Sequence, residues 1–273
     1  MIVSSNITLL NSFNKVTKNK TAKNEFTEKI SSGKRINRAS DDAAGLSISE
    51  SMKSQIRSLS MNQRNVQDGV SMLQLADGAL NEVTESLHRM KELSVQASNG
   101  DLTDEDRKAL EDELIQIKDS IDKISEQTEF NGIKILDKDK SISIQTKDKP
   151  YTCYELKLFN TDARALDLNN ASLTSTTKAE ETNLKVDKAL NKINNIRMNI
   201  GTDSNNLKSS LNEAGNSEIS LTFALSGVED INMATALMRS VKQNVIVDCN
   251  KSMLVAARQD NDRVSVVLNN WLK

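Results

Sequence analysis

Aromatic side chains are scarce in this sequence, with five Phe, two Tyr and one Trp in 273 residues. Four of them, Phe130, Tyr151, Tyr154 and Phe159, crowd into one stretch in the middle. A chain of this length needs bulky apolar surface to build a thick globular core, so an architecture resting on one is set aside. Pro150 is the single proline, there are nine glycines, and 27% of residues are charged, a balance that favours long helices packed in thin bundles. Cys153 and Cys249 are too far apart in sequence to suggest a framework of bridges. His88 is the single histidine, and with the cysteines so distant it cannot complete a zinc set of ordinary spacing; it reads as a solvated helix residue. No G-x-S-x-G, P-loop or H-E-x-x-H pattern occurs, which leaves nucleophilic, phosphoryl and metal-assisted chemistry without residues to carry it. The chain is therefore expected not to be an enzyme and to need no cofactor. No apolar run approaches the roughly 18 residues that cross a bilayer, and the first residues lack the apolar core of a secretory signal. Taken alone, that reads as cytosolic.

What is present is uneven in charge. The net charge is -2, yet the first forty residues carry Lys15, Lys18, Lys20, Lys23, Lys29, Lys34, Arg35 and Arg38 against only Glu25 and Glu28. Such asymmetry suggests an interaction tail. Only Phe26 interleaves with the basic residues and no recognised module surrounds them, so neither nucleic acid nor a membrane is the expected partner.

Periodicity supplies most of the fold. After Gly45, apolar residues recur in steps of three, four or seven: Ile48, Met52, Ile56, Leu59, Val66, Val70, Leu73, Ala76, Leu80, Val83, Leu87, Met90, Leu93 and Ala97. One long amphipathic helix follows from this spacing, stopped by Asn99-Gly100. Gly69 and Gly78 lie inside it at a cost of about 1 kcal/mol each against alanine, which predicts close approach of a neighbouring helix. Thr103 reads as the N-cap of a second helix, with Asp104, Glu105 and Asp106 in its first turn and a heptad seam of Leu110, Leu114, Ile117, Ile121 and Ile124. The short connection predicts that it folds back antiparallel. Between about 130 and 160 the pattern changes to alternation, at Ile142 and Ile144 and again at Tyr154, Leu156 and Leu158, with Asn131-Gly132 as a hairpin-type turn. Residues 161–176 read as a polar surface connection. A third long helix carries Val186, Leu190, Ile193, Ile196, Ile200, Leu207 and Leu211, and a last one covers about 219–271.

The two ends carry stripes of their own. Ile7, Leu10 and Phe13, then Phe26 and Ile30, fall at helical spacing, although the polar run from Thr17 to Thr21 would not hold a helix unaided. Near the other end Met238, Val241 and Val245 form one stripe, which Val264, Val267 and Trp271 continue, with Cys249 on it as a small apolar side chain. Both stripes look short of partners within one chain and need a neighbour to cover them. Asp41-Asp42, ahead of Ala43-Ala44, reads as a helix cap rather than a catalytic pair.

The run Ser31-Ser32-Gly33-Lys34-Arg35-Ile36-Asn37-Arg38-Ala39-Ser40-Asp41-Asp42-Ala43-Ala44-Gly45 closely resembles the signature that ends the first helix of bacterial flagellins. The resemblance continues through Gly78 to Val83, Arg89 to Gly100 and Gln127 to Leu136, and returns faintly at Val228-Glu229-Asp230. It implies a mainly α fold, an elongated antiparallel helical bundle or coiled coil with a small β-hairpin region. Residues 1–44 and 220–273 would be paired terminal helices forming an inner filament domain, and 45–219 a rod domain with the β region at about 130–160. The implied function is a structural subunit that polymerises with copies of itself into the flagellar filament for motility. Type III export and an extracellular place are implied too, reversing the cytosolic reading. So are an export chaperone on Ile231 to Lys273, hook-associated and cap proteins as partners, and an innate immune receptor of the Toll-like class at Arg89, Leu93 and Glu113. Two other readings stay open: a hook-filament junction protein, which usually has proline after the paired acids where Ala43 stands here, and a cytoplasmic coiled-coil scaffold.

Overall fold

The computed structural model describes residues 7–147 and 153–271, with the side chains of 7–9 and of parts of 257–271 outside that description. The chain is about 75% helical, with five helices and two small antiparallel hairpins among the described residues. In order these are α1 (Ile7–Ser32), α2 (Ala43–Ala97), α3 (Asp104–Gln127), β1 (Glu129–Phe130), β2 (Ile133–Lys134), β3 (Lys140–Gln145), β4 (Cys153–Leu158), α4 (Thr176–Glu229) and α5 (Met233–Trp271). Contacts group the chain into a terminal unit, 1–54 with 220–273, and a central unit, 55–219. Residues 45–54 belong with the terminal unit because Gly45 is buried against Ile36, and Lys53 is ion-paired with Glu229.

In the central unit the heptad spacing does what it predicts. Val66, Val70, Leu73, Ala76, Leu80, Val83, Leu87, Met90, Leu93 and Ala97 of α2 are buried in one core with Leu114 and Ile121 of α3 and with Val186, Ile193, Ile196, Ile200 and Leu207 of α4. The pairs Lys91–Asp187, Asp77–Arg197 and Gln63–Glu218 run in opposite directions along α2 and α4, which makes these two antiparallel. Thr103 caps α3 in a full capping box with Asp106, meeting two of the amides that a helix start leaves unpaired. The end of α2 is closed by Arg107, whose buried guanidinium donates to the carbonyls of Ala97 at 2.5 Å and Asn99 at 2.7 Å.

The hairpins also form where alternation places them. Asn131 and Gly132 take φ of 51° and 77°, the left-handed pair that a two-residue turn between β1 and β2 requires. In the second hairpin Ile142 faces Leu156 and Ile144 faces Tyr154. Ile144 fills the notch at Gly69, where a Cβ would collide with its Cδ1. Gly69 therefore makes close approaches both to the β-hairpin and to helix α4, where Leu207 Cδ1 would lie 3.3 Å from a Cβ, while a Cβ on Gly78 would point into open space.

Two expectations are corrected. Residues 161–176 are not a surface connection, since Ala163, Leu166, Leu168, Ala171 and Leu173 are buried in the core. Buried irregular backbone must find partners, and here charged side chains of α3 and α4 supply them. Asp122 accepts from the Ala163 amide and Glu111 from that of Leu173, while Lys118, Lys185 and Lys192 donate to the carbonyls of Ala171, Asn170 and Ala165. Burial pushes the Lys118 amine below its ordinary value. The break before the last helix is likewise not near 219, because α4 runs on to Glu229 and α5 begins at Met233.

Candidate assembly faces and the junction that positions them

The α4–α5 break is made by residues from the other end of the chain. In a continuous helix the Glu229 carbonyl would receive the amide of residue 233 and the Ile231 amide would donate to residue 227. Instead Arg35 N–H donates to the Glu229 carbonyl at 2.6 Å, and Ile231 N–H donates to the Gly33 carbonyl at 3.0 Å. Gly33 reaches that position with φ of 70°, where a side chain would be strained. The Arg35 guanidinium then donates to the Val228 carbonyl through Nε at 3.3 Å and Nη2 at 2.8 Å, meeting an orphan acceptor of the last turn. Asn232 restarts the chain as the cap of α5, its Oδ1 accepting from Thr235 N–H at 3.2 Å.

The rest of the signature run closes the same turn. Asp42 caps α2 by accepting from Gly45 N–H at 2.9 Å, and a Cβ on Gly45 would meet the Asp42 carboxylate and Ile36. Asp41 accepts from the amides of Asn37 and Arg38 and pairs with Lys29 at 3.2 Å. Those bonds, the Asn37 amide first, hold its carboxyl below the ordinary aspartate value. The paired acids thus have structural work, as a cap and a turn tie.

From this junction α1 and α5 run back antiparallel and pack on each other, with Gln243 Nε2 donating to the Asn19 carbonyl at 3.2 Å. The polar run at 17–21 stays helical with this support, and the Thr17 and Thr21 hydroxyls donate to carbonyls one turn back. The less exposed face of α5 carries Ala236, Ser240, Gln243, Val247, Asn250 and Leu254, at the 4-and-3 spacing of a coiled-coil seam, flanked by Asn244 and Ile246. Polar residues occupy much of that seam. The stripe visible in the sequence lies outside it: Leu10, Phe13, Met238, Val241 and Val245 are 56–67% exposed.

Of the other stripe residues, Phe26 and Ile30 are half-buried on α1, while the side chains of Ile7, Val264, Val267 and Trp271 lie outside the described residues. Cys249 is exposed rather than buried, and both cysteines are free. Sequence reasoning missed Phe223, which is 75% exposed in a chain so poor in aromatics. It also gave no role to Lys34, Lys53 or the Glu229 carboxylate that pairs with both. For Phe223 the signal was available, since it falls off the apolar stripe of its helix. For Glu229 none was, because its partners are distant in sequence.

The three residues matched to a receptor contact do not share one surface. Arg89 pairs with Glu113 at 2.7 Å and with Glu92 at 3.0 Å, half-exposed. Leu93 is 0% exposed in the core, so it is corrected from a surface contact to a packing residue. Among the described residues no three His, Cys, Asp or Glu side chains gather as a metal site, and no helix is long and apolar enough to cross a membrane.

Long helices with uncovered apolar stripes on a terminal pair, at Leu10, Phe13, Met238, Val241 and Val245, mark a helical protein whose surface is suited to association. Residues 3–141 match the bacterial flagellin N-terminal helical region and residues 184–267 the bacterial flagellin C-terminal helical region. The chain is 35% identical to a flagellin of Halalkalibacterium halodurans over 98% of its own length and 100% of the relative's, and 35% identical to one of Bacillus subtilis with the same coverage. The crystal structure of Bacillus cereus flagellin is similar at 36% identity and a TM-score of 0.50, over 55% of this chain and 88% of that one. The chain belongs to the bacterial flagellin family and is a flagellar filament subunit, which sets the junction-protein and scaffold readings aside.

Proposed function

We propose that the chain leaves the cell by type III export and polymerises outside it by burying the outer faces of α1 and α5 between copies. The observation that carries this is the exposure of Met238, Val241 and Val245 beside Leu10 and Phe13. Burying each such side chain is worth about 1.5–3 kcal/mol, and the same small interface repeated head to tail builds an open helical polymer. In this reading residues 1–44 with 220–273 form the inner layer of the filament and 45–219 the layer around it. Before export the segment Ile231 to Lys273, with Met238, Val241 and Val245 uncovered, is what a flagellar chaperone would hold, and hook-associated and cap proteins would meet the polymer's ends. An innate immune receptor would find Arg89 and Glu113 on the surface.

The test is seeded elongation of Val241→Asp with Val245→Asp. Filaments fail to grow while the monomer unfolds at the wild-type urea concentration; normal elongation by this variant would overturn the assignment of that face.

A further inference from the structure

We propose that Glu229 is a positioning residue which fixes the rotational phase of α5 at the signature turn, and so decides which face the terminal pair presents to the next copy. The inference rests on the assembly reading above. Its observation is separate: one carboxylate, only 6% exposed, ties together three segments remote in sequence. Lys34, in the turn after α1, approaches it at 2.6 Å, and Lys53, on α2, at 2.9 Å. The carbonyl of the same residue takes the Arg35 amide at 2.6 Å, two residues before the chain is captured again at Ile231. Side chain and main chain of Glu229 therefore pin the last helical residue of α4 immediately ahead of the break. Since each helical residue turns the chain by about 100°, a slip of one position there would carry Met238, Val241 and Val245 off their present face.

The other charges around the site leave Glu229 as the hub. Glu50 shares the Lys53 ammonium at 2.9 Å, the Arg35 guanidinium is spent on the Val228 carbonyl and lies 4.0 Å from Asp42, and Asp230 accepts from the Ser226 hydroxyl. A nearly buried carboxylate with two ammonium partners loses most when it is neutralised, because both partners are left facing an uncharged group. Burial raises the Glu229 pKa, the two lysines lower it, and the lysines prevail. A carboxyl held below its ordinary value contributes stability above that value, which is 4.5, and loses the contribution as pH falls through the folded one.

The experiment compares the full-length wild type with Glu229→Gln, Glu229→Asp and Lys34→Met. Protection factors of the Arg35 and Ile231 amides are measured in the monomer by hydrogen exchange between pH 3 and pH 7. Wild-type protection is expected to hold at pH 7, to begin to decline as pH drops below about 4.5, and to be lost as pH falls through the lower folded value. Glu229→Gln should lose at least tenfold at pH 7 and show no step in that range, with Glu229→Asp and Lys34→Met between. From wild-type seeds, Glu229→Gln should elongate at least tenfold more slowly while exchange in α3 stays unchanged. Retained protection in Glu229→Gln overturns the proposal, as does lost protection with wild-type elongation. Failure of the wild type itself to elongate would overturn the assembly reading instead, and the exchange result would still judge the latch.

Discussion

In the central unit α2 turns Leu73, Leu80, Leu87 and Leu93 inward against α3 and α4, whereas in the terminal unit α5 turns Ser240, Gln243 and Asn250 to its less exposed side and Val241 and Val245 to solvent. Both units use helices of the same family of spacings. What differs is the register of apolar residues against the seam. The seam of the central unit is covered within one chain, and its exposed apolar side chains, Leu184 at 65% and Met198 at 63%, lie off that seam. The terminal unit is held by a junction of hydrogen bonds and ion pairs at one end and by a partly polar seam along the rest, so its apolar surface stays available to another copy.

The sharpest way to break that contrast is to truncate one residue of each kind. Leu87→Ala is expected to cost the monomer about 2–5 kcal/mol in urea unfolding, as buried leucines do. A small loss there would mean that the central core is not the stabilising region. Arg107→Ala should cost about 1–3 kcal/mol by stranding the Ala97 and Asn99 carbonyls, read as a lowered urea midpoint together with faster amide exchange at the end of α2. Val241→Ala should change monomer stability by less than about 0.5 kcal/mol yet raise the critical concentration for polymerisation roughly tenfold. If it destabilised the monomer as Leu87→Ala does, the outer face would not be free. The smallest effect comes from glycine: Gly78→Ala, in open space, should stabilise by about 0.5–1 kcal/mol, while Gly69→Ala should gain nothing because Ile144 must move aside. Paired thermal melts decide this.

Much of the fold was legible because it follows from local rules. Thr103 with Asp106, Asn131-Gly132 and the stripe from Val66 to Ala97 each carry their own cause, in a cap, a turn geometry or a helical period. The candidate site was legible only in part. The apolar residues near both ends could be picked out, but not the face they would occupy, and Leu93 shows the same limit in reverse, since a position matched to a surface contact lies in the core. The connection at 161–176 reads as polar because its serines, threonines and asparagines stand next to one another in sequence. Its burial depends on Asp122, Glu111 and Lys118, which stand far away.

By itself, then, the sequence determined the helices and hairpins and the family. Those are set by short-range spacing and by runs long enough to be specific. Only the tertiary structure decided that the chain breaks at 230–232, that a partly polar seam faces α1 while Met238, Val241 and Val245 face out, and that Glu229 gathers Lys34 and Lys53. A helix fixes where its stripes lie around its own axis, whereas which stripe is covered depends on partners that sequence distance conceals.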